Sequence, residues 1–198
     1  MRILKRAPLM FNRQLVAAAA LGLFASVLTP VHAVEKEDAK TAKARADMKV
    51  LQTAIAKFRA DTAAWPNRVD GRDAASATVE VLYSEGKNIA SPGTWPVDNP
   101  LVYKQISSFF AAGNDRNYSA EKWKGPYLGK AVADPWGNTY LIAVKNLEKA
   151  DLPVWIISAG PDGVLQTPID SPVCMDGTSL DPVSGLVAAG DDVCLKFK

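Results

Sequence analysis

The chain has 198 residues, 48% hydrophobic and 22% charged, with 23 Lys and Arg against 21 Asp and Glu, two Cys and one His. These figures exclude a disordered polymer, a collagen-like repeat, a disulfide-dense miniprotein and a polytopic membrane protein, and they leave enough chain to bury a core. The formal charge of +2 is spread unevenly along the chain.

The first 33 residues carry Arg2, Lys5, Arg6 and Arg13 and no acid, around the apolar run Leu15–Leu28. That run is too short to span a bilayer comfortably. A basic head, a short Ala/Leu-rich middle and the small-residue exit Val31-His32-Ala33 predict a secretory signal peptide cut between Ala33 and Val34. The other reading is a degenerate anchor holding the protein in the inner membrane. Cleavage leaves 165 residues with 19 Lys and Arg against 21 Asp and Glu, and it removes His32, the single histidine. A chain without histidine cannot build a Ser-His-Asp or Cys-His site or a histidine-ligated zinc, and no glycine-rich phosphate loop or nucleophile elbow is present. No enzyme is expected, and no small-molecule substrate. With mild negative charge and no basic cluster, no nucleic-acid partner is expected either.

Val34–Asp61 contains neither Gly nor Pro and is rich in Ala, Lys, Glu, Asp, Arg, Leu and Gln, so it predicts one long helix. Met48, Leu51, Ile55 and Phe58 fall on one face, which needs a partner to cover it. Glu35–Asp47 has only alanines between charges and reads as a solvated extension or a surface for other subunits. The helix should end near Ala64, before Trp65-Pro66. Thr78–Tyr83 predicts a short strand and Leu101–Ala112 a helix, with a Gly/Pro-marked loop between them. Thr139–Val144, Val154–Ser158 and Val193–Phe197 are apolar runs of strand length separated by turn residues. The expected fold is α+β: a long N-terminal helix packed on a small antiparallel sheet, followed by a long C-terminal loop.

From Ala150 to Leu195 there is no Lys, Arg or Glu, but there are seven aspartates: Asp151, Asp162, Asp170, Asp176, Asp181, Asp191 and Asp192. Short carboxylates in glycine-containing loops suit a hard cation such as calcium, and Asp162, Asp191 and Asp192 form the two best arms. A merely solvated acidic loop is the alternative. Cys174 and Cys194 flank the later part of this segment, and in an exported protein an even pair predicts one structural disulfide.

Lys43–Thr62, Trp65-Pro66, Trp123-Lys-Gly-Pro-Tyr-Leu128, Asp134-Pro-Trp-Gly-Asn-Thr-Tyr140 and Ser158-Ala-Gly-Pro-Asp-Gly163 together resemble the major pseudopilin (protein G) family of the type II secretion system. The resemblance covers residues 30–66 and 121–198 and implies a helix-on-sheet domain whose C-terminal loop binds calcium. Asp162 falls in the family's Gly-x-Asp-Gly turn and Asp191-Asp192 in its later acidic segment. It also implies a non-catalytic, periplasmic or exported subunit whose partners are other pseudopilins or secretion-system proteins, with self-assembly among the options. The family's Gly-Phe-Thr-Leu-x-Glu start is missing: Pro8 and Arg13 stand near its glycine and glutamate positions. Residues 67–122 are longer than the family's usual connection and read as an insertion. A free periplasmic binding module that uses the insertion to hold a partner is the second reading. Asp134-Pro-Trp-Gly-Asn is also a turn in its own right, with Trp136 positioned to cap the core.

Overall fold

The computed structural model describes residues 31–68, 78–90, 94–97, 99, 103–110, 118–180, 185 and 189–198, without the side chains of 31–38 and 103. Nearly all of the expected signal segment therefore lies outside the described residues, as do Leu101 and Ala111–Ala112 of the expected second helix and Asp181 of the acidic loop. Helix α1 runs from Val31 to Thr62. Ala44, Met48, Leu51, Ile55, Phe58 and Thr62 are buried along it. Steps of four and three alternate between them, which keeps one stripe facing inward. The stripe starts one turn earlier than the apolar spacing suggested, because Ala44 is small enough to pack where its charged neighbours are not. At the C-terminus Ala63 takes a left-handed φ of 58° and its N–H donates to Arg59 O at 3.0 Å. No helix among the described residues is long and apolar enough to cross a membrane.

Among the described residues five short strands form one sheet: β1 (Val81–Tyr83), β2 (Tyr103–Gln105), β3 (Leu141–Ile142), β4 (Trp155–Ser158) and β5 (Val193–Lys196), in the order β2-β1-β3-β4-β5. The sheet is mixed, not antiparallel: β1 and β2 run parallel, with Val81 opposite Tyr103, while the remaining neighbours are antiparallel. The stretch 84–102 is long enough to carry the chain back to the same end of the sheet, which is what a parallel pair requires. A second correction lies in the expected helix Leu101–Ala112. Among its described residues Tyr103–Gln105 form strand β2 and Ile106–Phe110 are helical, as α2. The helical spacing was real for Ile106, Phe109 and Phe110, which are all fully buried.

Alternation along the strands sorts side chains to two faces. Leu82, Ile142, Ile156 and Val193 join Met48, Leu51, Ile55 and Phe58 of α1, together with Phe109 and Phe110. Phe58 is the hub of this layer, edge-on to Phe109, Phe110, Tyr118 and Tyr127 at centroid distances of 6.5, 5.5, 5.2 and 5.8 Å. Val81, Leu141, Trp155 and Ile157 face the opposite way and are covered by Trp95, Leu165, Ile169, Cys174 and Cys194. The C-terminal loop thus roofs the face of the sheet that the helix leaves open. Two indoles pin it there: Trp95 Nε1 donates to Thr167 O and Trp155 Nε1 to Ser171 O, each at 2.8 Å.

Candidate functional site

The turn Asp134–Asn138 is organised by a side chain that sequence reading treated only as a turn former. Asp134 is 5% exposed. Its Oδ1 accepts the N–H of Trp136 at 2.9 Å and of Asn138 at 2.7 Å, and its Oδ2 accepts the Ser158 hydroxyl. Ser158 Oγ in turn accepts the N–H of Gly160 at 3.1 Å, and Asn138 Nδ2 donates to Gly160 O at 2.9 Å. One buried carboxylate therefore locks this turn to the end of β4 and fixes where the next turn, Gly160–Gly163, begins. Trp136 packs half-buried against the helix side of the core, with Lys40 of α1 over its ring at 5.7 Å.

The second turn meets the C-terminal acidic pair. Gly160 has φ +64°, and a Cβ there would come within 2.2 Å of Asp191 O; only glycine permits this approach. Asp162 N–H donates to Asp191 Oδ2 at 3.2 Å. Asp192 Oδ2 accepts the backbone N–H groups of Gln166 at 3.1 Å and Thr167 at 2.6 Å. The three expected cation ligands, Asp162, Asp191 and Asp192, thus share one hydrogen-bonded cluster, which Gln166 completes.

Their free valences differ. Both oxygens of Asp162 are taken within its own turn, Oδ1 by Val164 N and Oδ2 by Gln166 Nε2, each at 2.7 Å. By contrast Asp191 Oδ1, Asp192 Oδ1 and Gln166 Oε1 are buried without a hydrogen-bond partner. Carboxylate and amide oxygens can only accept, so an orphaned one is satisfied by a donor, a water or a hard cation. The Gln166 amide has its orientation set, because Asp162 offers only acceptors to Nε2. Burial pushes the Asp192 carboxyl up to about 6, against the Gln166 and Thr167 donors and with the help of the Asp191 charge. Burial likewise raises Asp191, with the Asp162 charge adding to it. Among the described residues no three His, Cys, Asp or Glu side chains converge as a metal-ligand group. A cation here would accordingly draw on the two carboxylates of Asp191 and Asp192 plus neutral oxygens, and the unpartnered Gln166 Oε1 is one such oxygen in the network. Counting carboxylates in the sequence could not single it out.

Two other aspartates of the segment have separate duties. Asp170 accepts Asn146 Nδ2 at 2.9 Å and Lys145 Nζ at 3.2 Å. Asp176 caps its own turn through the N–H groups of Thr178 and Ser179. Cys174 and Cys194 are joined in a disulfide with Cα atoms 6.1 Å apart, as expected of an even cysteine pair.

Residues 109–171 match the family model of the type II secretion system (T2SS), protein G. This stretch of the chain is pseudopilin-like. It runs from the end of α2 through both turns and across β3 and β4, so it contains Asp134, Ser158, Gly160 and Asp162, and the sequence resemblance is borne out there. The α+β architecture, a long helix on a five-stranded sheet, is consistent with it. Helix α1, the disulfide and the Asp191-Asp192 pair lie outside the matched block. No curated protein and no solved structure matches the chain.

Proposed function

We propose that this protein is a structural subunit associated with type II secretion, pseudopilin-like and non-catalytic, exported or periplasmic, whose C-terminal loop is braced by a bound calcium ion. The match of residues 109–171 to T2SS protein G carries the reading. The calcium part draws its support from the buried, unpartnered oxygens of Asp191, Asp192 and Gln166. The segment that carries them, Ala150–Leu195, has no Lys or Arg of its own. The ion would do no chemistry. It would neutralise the acidic pair and tie the Gly160–Gly163 turn to the start of β5, so that the roof over the sheet holds its shape when other secretion components press on it.

Partners under this reading are other pseudopilins or secretion-system proteins. Residues 67–122 supply β1, β2 and α2, and so build part of the sheet and core. Deleting the gene from its host should leave type II substrates behind in the periplasm, with secretion restored by the wild-type copy. Undiminished secretion in the deletion strain would contradict the assignment.

A further inference from the structure

The acidic cluster and the disulfide are parts of one mechanical unit. Cys194 lies two residues beyond Asp192 and sits in β5, paired with Ile157. Cys174 Sγ lies 3.7 Å from Asp192 O, and the residue after Cys174 accepts through its carbonyl the N–H of Asp192 at 3.1 Å. Thr167 closes the ring. Its N–H binds Asp192 Oδ2, its Oγ1 accepts Met175 N–H at 2.8 Å, and the same Oγ1 lies 3.8 Å from Cys194 Sγ. A Cβ at Gly190 would come within 2.3 Å of Met175 O, so residues 174–175 and 190–192 lie backbone against backbone with no side chain between. Both sulfurs are buried, each residue 6% exposed. In this packing the bond holds Asp192 against the Gln166–Thr167 backbone and so fixes the direction of its unpartnered Oδ1.

We propose that the Cys174–Cys194 disulfide is the positioning element of the cation site, so that calcium affinity and the redox state of this cysteine pair are linked. The proposal rests on the calcium reading above. When a dithiol reduces the bond, its first thiolate attacks one sulfur to give a mixed disulfide and expels the other cysteine as a thiolate. Its second thiolate then releases the first cysteine, leaving two protein thiols and one cyclic oxidised dithiol. Residues 174–175 then lose their covalent tie to β5 and keep the Met175 hydrogen bonds to Asp192 and Thr167, and the arrangement competent to bind is only a fraction of the population. Apparent affinity falls by that fraction. Linkage requires the reverse effect in equal measure: calcium must make the bond harder to reduce by the same factor.

The test is isothermal titration of calcium into the oxidised full-length chain and into the double variant Cys174→Ala/Cys194→Ala. Ile55→Ala, which weakens the distant helix face, serves as a control for lost stability. Roughly tenfold weaker binding in the cysteine variant, with the Ile55 variant unchanged, is the expected result. Binding of equal strength in wild type and cysteine variant overturns the linkage while leaving the calcium reading intact. Absence of binding to the oxidised wild type overturns both. Should the cysteine variant fail to fold, the wild type alone decides the matter: the dithiothreitol ratio that half-reduces the bond should rise by the same factor in saturating calcium over chelator. An unchanged ratio refutes the proposal.

Discussion

Removing the Asp134 carboxylate tests whether one buried side chain joins the two turns. In Asp134→Ala the N–H groups of Trp136 and Asn138 and the Ser158 hydroxyl lose their acceptor at once. An unsatisfied buried donor costs about 1–3 kcal/mol. The hydroxyl can rotate, so the two backbone donors dominate, and relief from burying a charge offsets part of their cost. The expected destabilisation is about 3 kcal/mol. Asp134→Asn keeps an oxygen for both backbone donors and presents an amide that the Ser158 hydroxyl can accept from, so about 1 kcal/mol is expected there. Urea unfolding of wild type, both variants, Ser158→Ala and the Asp134→Ala/Ser158→Ala pair gives these values and, through the double-mutant cycle, the coupling between the turns. Asp134→Ala within about 0.5 kcal/mol of wild type, or Asn as damaging as Ala, would refute the reasoning.

Phe58 touches four aromatic rings and is fully buried; Phe58→Ala should cost about 3–5 kcal/mol in the same assay, and a loss under about 1 kcal/mol would show that α1 does not depend on this face. Ala63 closes α1 in the left-handed region, where a side chain costs about 1–2 kcal/mol. Glycine relieves this but adds freedom to the unfolded chain, so Ala63→Gly should gain about 0.5–1 kcal/mol and raise Tm by a few degrees; a lower Tm would contradict the cap. Gly160→Ala forces a Cβ against Asp191 O and should weaken calcium binding more than it changes helix content by circular dichroism, whereas calcium affinity equal to wild type would show that the close approach is dispensable.

Much of this fold was legible in the residues, for identifiable reasons. Helix α1 is long, lacks Gly and Pro, and spaces Met48, Leu51, Ile55 and Phe58 so that local periodicity alone sets its inward face. The runs that became β3, β4 and β5 are short, apolar and bounded by turn residues. Strand β2 was hidden because Tyr103–Gln105 carries no alternation of its own. Its state depends on β1, far away in sequence, and local spacing carries no information about a parallel partner. The acidic loop was legible as an ensemble and not atom by atom. Sequence placed Asp162 with Asp191 and Asp192, and the structure brings them together. Hydrogen bonds nevertheless engage both oxygens of Asp162 and leave a buried oxygen of Gln166 unpartnered in the same cluster. Asp134 was readable as a turn former, but its reach to Ser158 is a tertiary contact.

The calcium-braced loop is tested most directly by thermal unfolding of the oxidised chain in excess calcium and in excess chelator, for wild type, Asp162→Ala and Asp192→Ala. Ligand at about a hundred times its dissociation constant stabilises a native state by about 2.7 kcal/mol, which for a domain of this size is roughly 5–10 °C in Tm. Wild type should show that difference. Asp192→Ala, which loses a buried carboxylate with one unpartnered oxygen, should abolish it, and Asp162→Ala should reduce it through Gln166, whose Nε2 loses its acceptor, while the backbone N–H of residue 162 still reaches Asp191. A wild-type melt that is the same in calcium and in chelator would contradict the account.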